Sequence, residues 1–499
     1  MDNITHKNSS SSFSRDFSAA FSLRFKDGSP VVPFGWEPWD LFGISQDEFE
    51  EKEELEAEAI EAAANAAAEA ASAAFLGNTE NYEQKSEAQR LTEEKAEKAT
   101  RERFSLMEYL KDVMRPHLRP NSPIMKCYKI PCSTAVTYSQ GLDERGNKIA
   151  KVEGVCHDHS VHFCPMCSFK IAIGRALQVA TIADKAREQG KGLYHMVLTM
   201  RHSKYDVMDD LMQEMAEAKK DFWRNGSVRE IYDANFEDRI DTLEMMFGFD
   251  DENGEGGNGL HEHYHITLIG SPGLDCSKLQ PKLEQYWIKS LGGEEKGKAG
   301  GVALKLKPWS TEDLAHYLTK LPTASFEMAM GAHTKHFDKA DDGEEKKKGE
   351  HFGFFQVARI AMKYAGLRPY LEPLIQAYYF ATKGKCFMRF TRGLLERYGL
   401  KKKTDAELAE DGGKLLEQLC VISNQDYKKL THAQIAESRI LAKRGDKSAL
   451  WEFFKELGIF CRENAEELEK EWNGCTDETN ETENQTNRGG KHAKTSKTR

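Results

Sequence analysis

The sequence predicts an α+β protein: an antiparallel sheet flanked by helices, a zinc-knuckle segment before the sheet, and mostly helical extensions at both ends. Three observations predict it. A strand rich in alternating histidines follows a second strand across a glycine-rich turn. A dense cysteine–histidine cluster lies upstream of both. Long stretches on either side have the apolar spacing of amphipathic helices.

The histidine strand is the clearest element. His261, His263 and His265 alternate with other residues and run into Ile266, Leu268 and Ile269, between Gly259 and Gly270. Side chains in a strand repeat every second residue. The three imidazoles are therefore expected on one face, close enough to share a metal ion. Residues 240–249 read as the preceding strand, and the run DENGEGGNG as the turn of an antiparallel hairpin. Glu244 on that first strand is a candidate to reach the same metal. Tyr194 to Met200 reads as a further, central strand.

The cysteine cluster reads as a structural zinc site. Cys156, His157, His159, His162, Cys164 and Cys167 fall within twelve residues, and Cys164-Pro165-Met166-Cys167 is a CxxC knuckle. Zinc takes four thiolate or imidazole ligands in a tetrahedron, and one CxxC turn supplies two of them. Cys164, Cys167 and Cys156 are the leading ligands. The fourth is open among His159, His162, Cys132 and Cys127. Clustered, unevenly spaced cysteines fit a reducing, cytoplasmic compartment better than a disulfide framework.

Helices are expected over residues 84–114, with Leu106, Tyr109, Leu110 and Val113 as a docking stripe, and over 169–186, 207–223, 352–365, 406–421 and 448–461. Residues 310–320 (STEDLAHYLTK) start with an N-cap signature, and Asp313, Tyr317 and Lys320 share one face of that helix. No apolar run is expected to span a bilayer, and no membrane partner is expected.

The 499 residues carry a net charge of −11, which would argue against nucleic acid if it were evenly spread. Residues 1–100 hold 21 acidic and 9 basic side chains, so the rest of the chain is close to neutral. Residues 46–76 are almost wholly Glu and Ala and suggest a solvated helix or an acidic disordered segment. The expected organisation is an acidic extension (1–120), a zinc-knuckle segment (121–190), a core (191–330), a mostly helical region (331–470) and a polar tail (471–499).

Leu198-Thr199, then His263-Tyr264-His265, then Tyr317-Leu318-Thr319-Lys320 resemble motifs 1, 2 and 3 of rolling-circle replication initiators. These are HUH endonucleases, named for two histidines around a bulky residue. The knuckle Cys164-Pro165-Met166-Cys167 is similar to one that precedes motif 1 in plasmid initiators with a single catalytic tyrosine. His351-Phe352-Gly353-Phe354-Phe355-Gln356 and the segment from Ala381 through Leu394 resemble later elements of that branch. The branch often has Glu four residues before the tyrosine, where this chain has Asp313.

The resemblance implies an HUH-type sheet and a metal-dependent nicking and strand-transfer reaction on single-stranded or extruded origin DNA. It makes Tyr317 the nucleophile, aided by Lys320, with Asp313 as a later general base. It makes His263 and His265, with Glu244 or His261, the ligands of a catalytic Mn²⁺ or Mg²⁺. Host helicase and polymerase would be partners. A transposase or relaxase with the same chemistry, and a non-enzymatic zinc-ribbon DNA-binding protein, are the alternatives. His265-Ile266-Thr267-Leu268 also matches a motif of two-histidine RNA phosphoesterases, but the second HxT which that fold needs is absent.

Overall fold

A computed structural model describes residues 87–143, 146–203, 205–249, 259–293, 303–309, 351–386, 388–410 and 413–466. In chain order the elements are α1 (Glu87–Met114), α2 (Pro123–Lys126), β1 (Ala135–Leu142), β2 (Lys148–Glu153), α3 (Pro165–Glu188), β3 (Gly192–Thr199), α4 (Met208–Arg224), α5 (Gly226–Asn235), β4 (Phe236–Gly248), β5 (Gly259–Gly270), α6 (Cys276–Ser290) and β6 (Leu304–Pro308). There follow β7 (His351–Gly353), α7 (Phe354–Lys363), α8 (Arg368–Thr382), β8 (Met388–Phe390), α9 (Leu394–Arg397), α10 (Asp405–Ala409), β9 (Lys414–Ser423), α11 (Asn424–Lys429), α12 (His432–Arg444) and α13 (Lys447–Glu456). Helices and antiparallel sheet together make an α+β protein.

The chain divides into two compact units that interleave in sequence. One comprises residues 1–120 and 158–410; the other comprises 121–157 and 411–499. The reason for the interleaving is strand pairing: β9, late in the chain, is hydrogen-bonded to β1 and not to a sequential neighbour.

In the first unit six strands form one antiparallel sheet among the described residues, in the order β6-β3-β5-β4-β7, with β8 also paired to β4. The hairpin expected from the glycine-rich turn is present, with β4 paired to β5 from Gly248↔Gly259 back to Phe236↔Gly270. Gly270 closes it because a Cβ there would sit 2.1 Å from the Asn235 carbonyl oxygen. The four residues Leu106, Tyr109, Leu110 and Val113 of α1 are buried or half-buried, as a docking stripe requires.

The two faces of the sheet are covered differently. Ala176, Val179, Ile182, Ala183 and Ala186 of α3 pack with Leu193, Ile240, Ile269 and Trp309 over one end of one face. On the opposite face Lys219 of α4 lies 3.5 Å from the centre of the Tyr264 ring, and Trp287 Nε1 of α6 donates to the Thr199 carbonyl at 2.7 Å. Against the expectation that no apolar run would span a bilayer, α3 is by length and composition alone long and apolar enough to cross one, with a mean hydropathy of 1.2, and 61% of that stretch is buried inside the protein.

In the second unit β2, β1 and β9 form a three-stranded antiparallel sheet. Ser438 Oγ of α12 lies 3.1 Å from the Tyr138 hydroxyl of β1, and Phe454 of α13 meets the Tyr138 ring edge-on. Residues 406–421, expected as a helix, are instead the short α10 followed by β9. Lys414 to Gln418 are helix formers, but Leu419, Cys420, Val421 and Ile422 are buried, and the last three pair with β1. Tertiary pairing overrides the local preference.

Candidate functional site

Two groups of candidate residues take shape, both in the first unit. The first is the histidine row. Along β5, His261, His263 and His265 are half-buried, whereas Glu262 and Tyr264 between them are buried on the other face. Antiparallel partners share a face, so the register identifies the neighbours of the row. His263 lies between Thr199 of β3 and Glu244 of β4, and His265 between Val197 and Thr242. Glu244 Oε2 is 2.6 Å from His265 Nε2. The His261 and His263 ring centres are 3.9 Å apart, and those of His263 and His265 are 6.1 Å apart.

Two further histidines join the row, and sequence reading did not single them out. His202, just after β3, lies within hydrogen-bonding reach of His261 Nδ1 through its Nε2. His195 Nε2 lies 3.0 Å from His265 Nδ1. A signal for His195 was in the sequence: it is four residues before Thr199 in a strand, hence on the same face. Exposed Lys305 and Lys307 of β6 pair with Val197 and His195 and add two cations to this face. Five imidazoles, one carboxylate and two ammonium groups thus belong to this histidine cluster and its strand neighbours; their donor types suit a divalent cation, but their ligand atoms are not drawn together as those of the knuckle are.

Residues 310–350, which include Asp313, Tyr317 and Lys320, lie outside the described residues. Tyr364, the next tyrosine along the chain, follows α7. Its hydroxyl is buried without a hydrogen-bond partner, and burial holds its phenol pKa above the ordinary value.

The second group is the knuckle. Cys164 caps the N-terminus of α3 with Pro165 in the first turn, and its Sγ accepts from the Cys167 N–H at 3.4 Å. That hydrogen bond and the helix N-terminus both favour negative charge on the sulfur. Asp158, Cys164 and Cys167 each offer a ligand atom, and these atoms lie within 4.8 Å of one another. Two sulfurs and a carboxylate can hold a metal such as zinc. Asp158 was not among the expected ligands, because a carboxylate near a CxxC turn has no distinctive spacing.

The other zinc candidates are placed as follows. His159 has a left-handed backbone (φ 57°), and its Nε2 lies 3.0 Å from a Glu410 carboxylate oxygen. A non-glycine residue there is strained by about 1 kcal/mol or more. His162 is buried, and burial pushes its pKa down to about 4, so its imidazole is neutral at pH 7. In the second unit, Cys132 and Cys156 lie on paired segments: Cys132 N–H donates to the Gly154 carbonyl at 2.8 Å, and Cys156 N–H to the Ile130 carbonyl at 2.9 Å. Cys127, also in that unit, is buried.

Comparison of the chain with protein-family models, with curated proteins and with solved structures found no match.

Proposed function

We propose that this protein is an HUH-type DNA nicking and rejoining enzyme, a replication initiator that starts and ends rolling-circle replication at a single-stranded or extruded origin. The observation that carries the reading is the histidine row. His263 stands in register with Thr199 on one neighbouring strand and Glu244 on the other, and His265 contacts Glu244. Lys305 and Lys307 on the same face supply positive potential for a phosphate backbone.

In this reading His263 and His265, with Glu244 or His261, hold Mn²⁺ or Mg²⁺, which when bound polarises a phosphoryl oxygen. Tyr317 Oη attacks the phosphorus. The bond to the 3′ oxygen breaks and leaves a 5′-phosphotyrosine; the phenol proton passes to solvent, and the departing 3′ oxygen takes a proton from solvent to become the 3′-OH. Lys320 stabilises the charge that develops on the attacking oxygen. The 3′-OH is free for a host polymerase to extend behind a host helicase. Asp313 later takes the proton from the hydroxyl that displaces the tyrosine, so rejoining is the reverse transfer with no net bond energy lost. Tyr364 makes a poor nucleophile, because a half-buried phenol whose pKa is raised by desolvation ionises reluctantly. The Asp158, Cys164 and Cys167 group, completed by a fourth ligand, holds zinc and fixes the start of α3.

The test uses labelled single-stranded origin DNA and Mn²⁺. A slower, protease-sensitive DNA band is expected from the wild type. EDTA, or His263→Ala together with His265→Ala, is expected to remove it. A band of wild-type intensity from the double histidine variant would refute the reading.

A further inference from the structure

We propose that His195 is a positioning residue for the cation site: it fixes the ring proton of His265 on Nδ1 and so turns His265 Nε2 toward the metal. The proposal rests on the reading of the histidine row as a divalent-cation site.

The geometry is specific. His195 Nε2 and His265 Nδ1 are 3.0 Å apart, the ring planes differ by 8°, and the ring centres are 5.1 Å apart. Centres that far apart in parallel rings with touching nitrogens mean two imidazoles edge to edge in nearly one plane, the arrangement of a straight N–H···N hydrogen bond. The far nitrogen of His265, Nε2, lies 2.6 Å from Glu244 Oε2. Both nitrogens of His265 therefore face a group from a neighbouring strand; toward the Glu244 carboxylate Nε2 donates a proton, and a bound cation would take that proton's place.

His195 is itself held in place. The Trp309 ring lies parallel to it, also at 8°, with ring centres 4.9 Å apart. Trp309 is buried, and its backbone N–H donates to the Leu193 carbonyl at 2.8 Å. It forms part of the apolar core that α3 makes with the sheet. The series Trp309, His195, His265, Glu244 thus runs from a packed core to the row of candidate ligands.

A neutral imidazole carries one ring proton. Bound to a cation through Nε2, His265 must keep that proton on Nδ1. His195 Nε2 is the acceptor within reach there, which leaves the proton of His195 on its own Nδ1. Metal-bound histidines commonly donate their other ring N–H to such a partner, which raises their basicity as ligands. The usual partner is a carboxylate or carbonyl; here it is a second imidazole.

The test compares wild type with His195→Phe and His195→Gln. Phenylalanine keeps a ring against Trp309 and offers no acceptor. Glutamine places Oε1 near the position of Nε2 and restores one. Mn²⁺ affinity is read from the electron paramagnetic resonance signal of the free ion, and thermal unfolding is read without metal. His195→Phe is expected to bind Mn²⁺ about 10- to 100-fold more weakly, and His195→Gln to recover most of that loss. An affinity for His195→Phe within about twofold of wild type would overturn the proposal. So would a glutamine variant no better than phenylalanine, since the effect would then be packing. The control is His263→Ala with His265→Ala. If wild type binds no better than this control, the cation-site reading fails and the proposal with it. If the control loses binding and His195→Phe does not, the positioning role alone fails.

Discussion

Glu262 sits between two candidate metal ligands in sequence and on the opposite side of the sheet in space. It is 4% exposed, both carboxylate oxygens lack a hydrogen-bond partner, and burial pushes its pKa up to about 8 against the pull of Lys385 and Lys219. Asp241, on the same face, takes Lys219 at 3.4 Å, so that ammonium is shared. A carboxyl with a raised folded-state pKa favours folding fully below its unfolded pKa. That contribution is lost as the pH rises through about 8. The loss is on the order of a few kcal/mol. Glu262→Gln removes the titration, so its melting temperature is expected to fall less than that of wild type between pH 5 and pH 9. Parallel melting curves across that range would show that Glu262 is ionised at neutral pH. At this scale the alternation His261, His263, His265 against Glu262 and Tyr264 was legible, because a strand assigns faces by parity alone. The raised pKa was not, since it depends on what α4 lays across the strand.

Among the elements, α3 links chemistry and packing most directly. Its first turn carries Cys164 and Cys167, and its body packs on the sheet that bears the histidines. Zinc content of protein purified without added metal is expected to be close to stoichiometric, and Cys164→Ala with Cys167→Ala should lose it. That pair should also lower the melting temperature, since a structural metal adds its binding free energy to folding. Unchanged zinc in the double variant would rule the knuckle out. The CxxC was visible in sequence because two ligands in one turn need a fixed spacing. Asp158 was hidden, because carboxylates carry no such signature. β9 was misread for a related reason: Lys414 to Gln418 favour a helix locally, and the reward for the strand comes from β1, far away in sequence. The histidine hairpin could be read because both of its strands and its turn are contiguous.

For the whole molecule, the class of fold was legible from the mix of patterns, and the interleaving of two units was not. Which distant strands pair depends on packing that no local window contains. The acidic balance is likewise a property of residues 1–100, and the histidine face carries Lys305 and Lys307 in its place. The central claim is that the phosphoryl group transferred from DNA passes to Tyr317. The most direct measurement is to trap the covalent adduct on single-stranded origin DNA, digest it with nuclease and trypsin, and locate the nucleotide by mass spectrometry. Residues 306–320 form a peptide whose single tyrosine is Tyr317. The account predicts a nucleotide on that tyrosine, absent in Tyr317→Phe. A nucleotide on another residue, or cleavage of DNA with no protein-linked product, would contradict it.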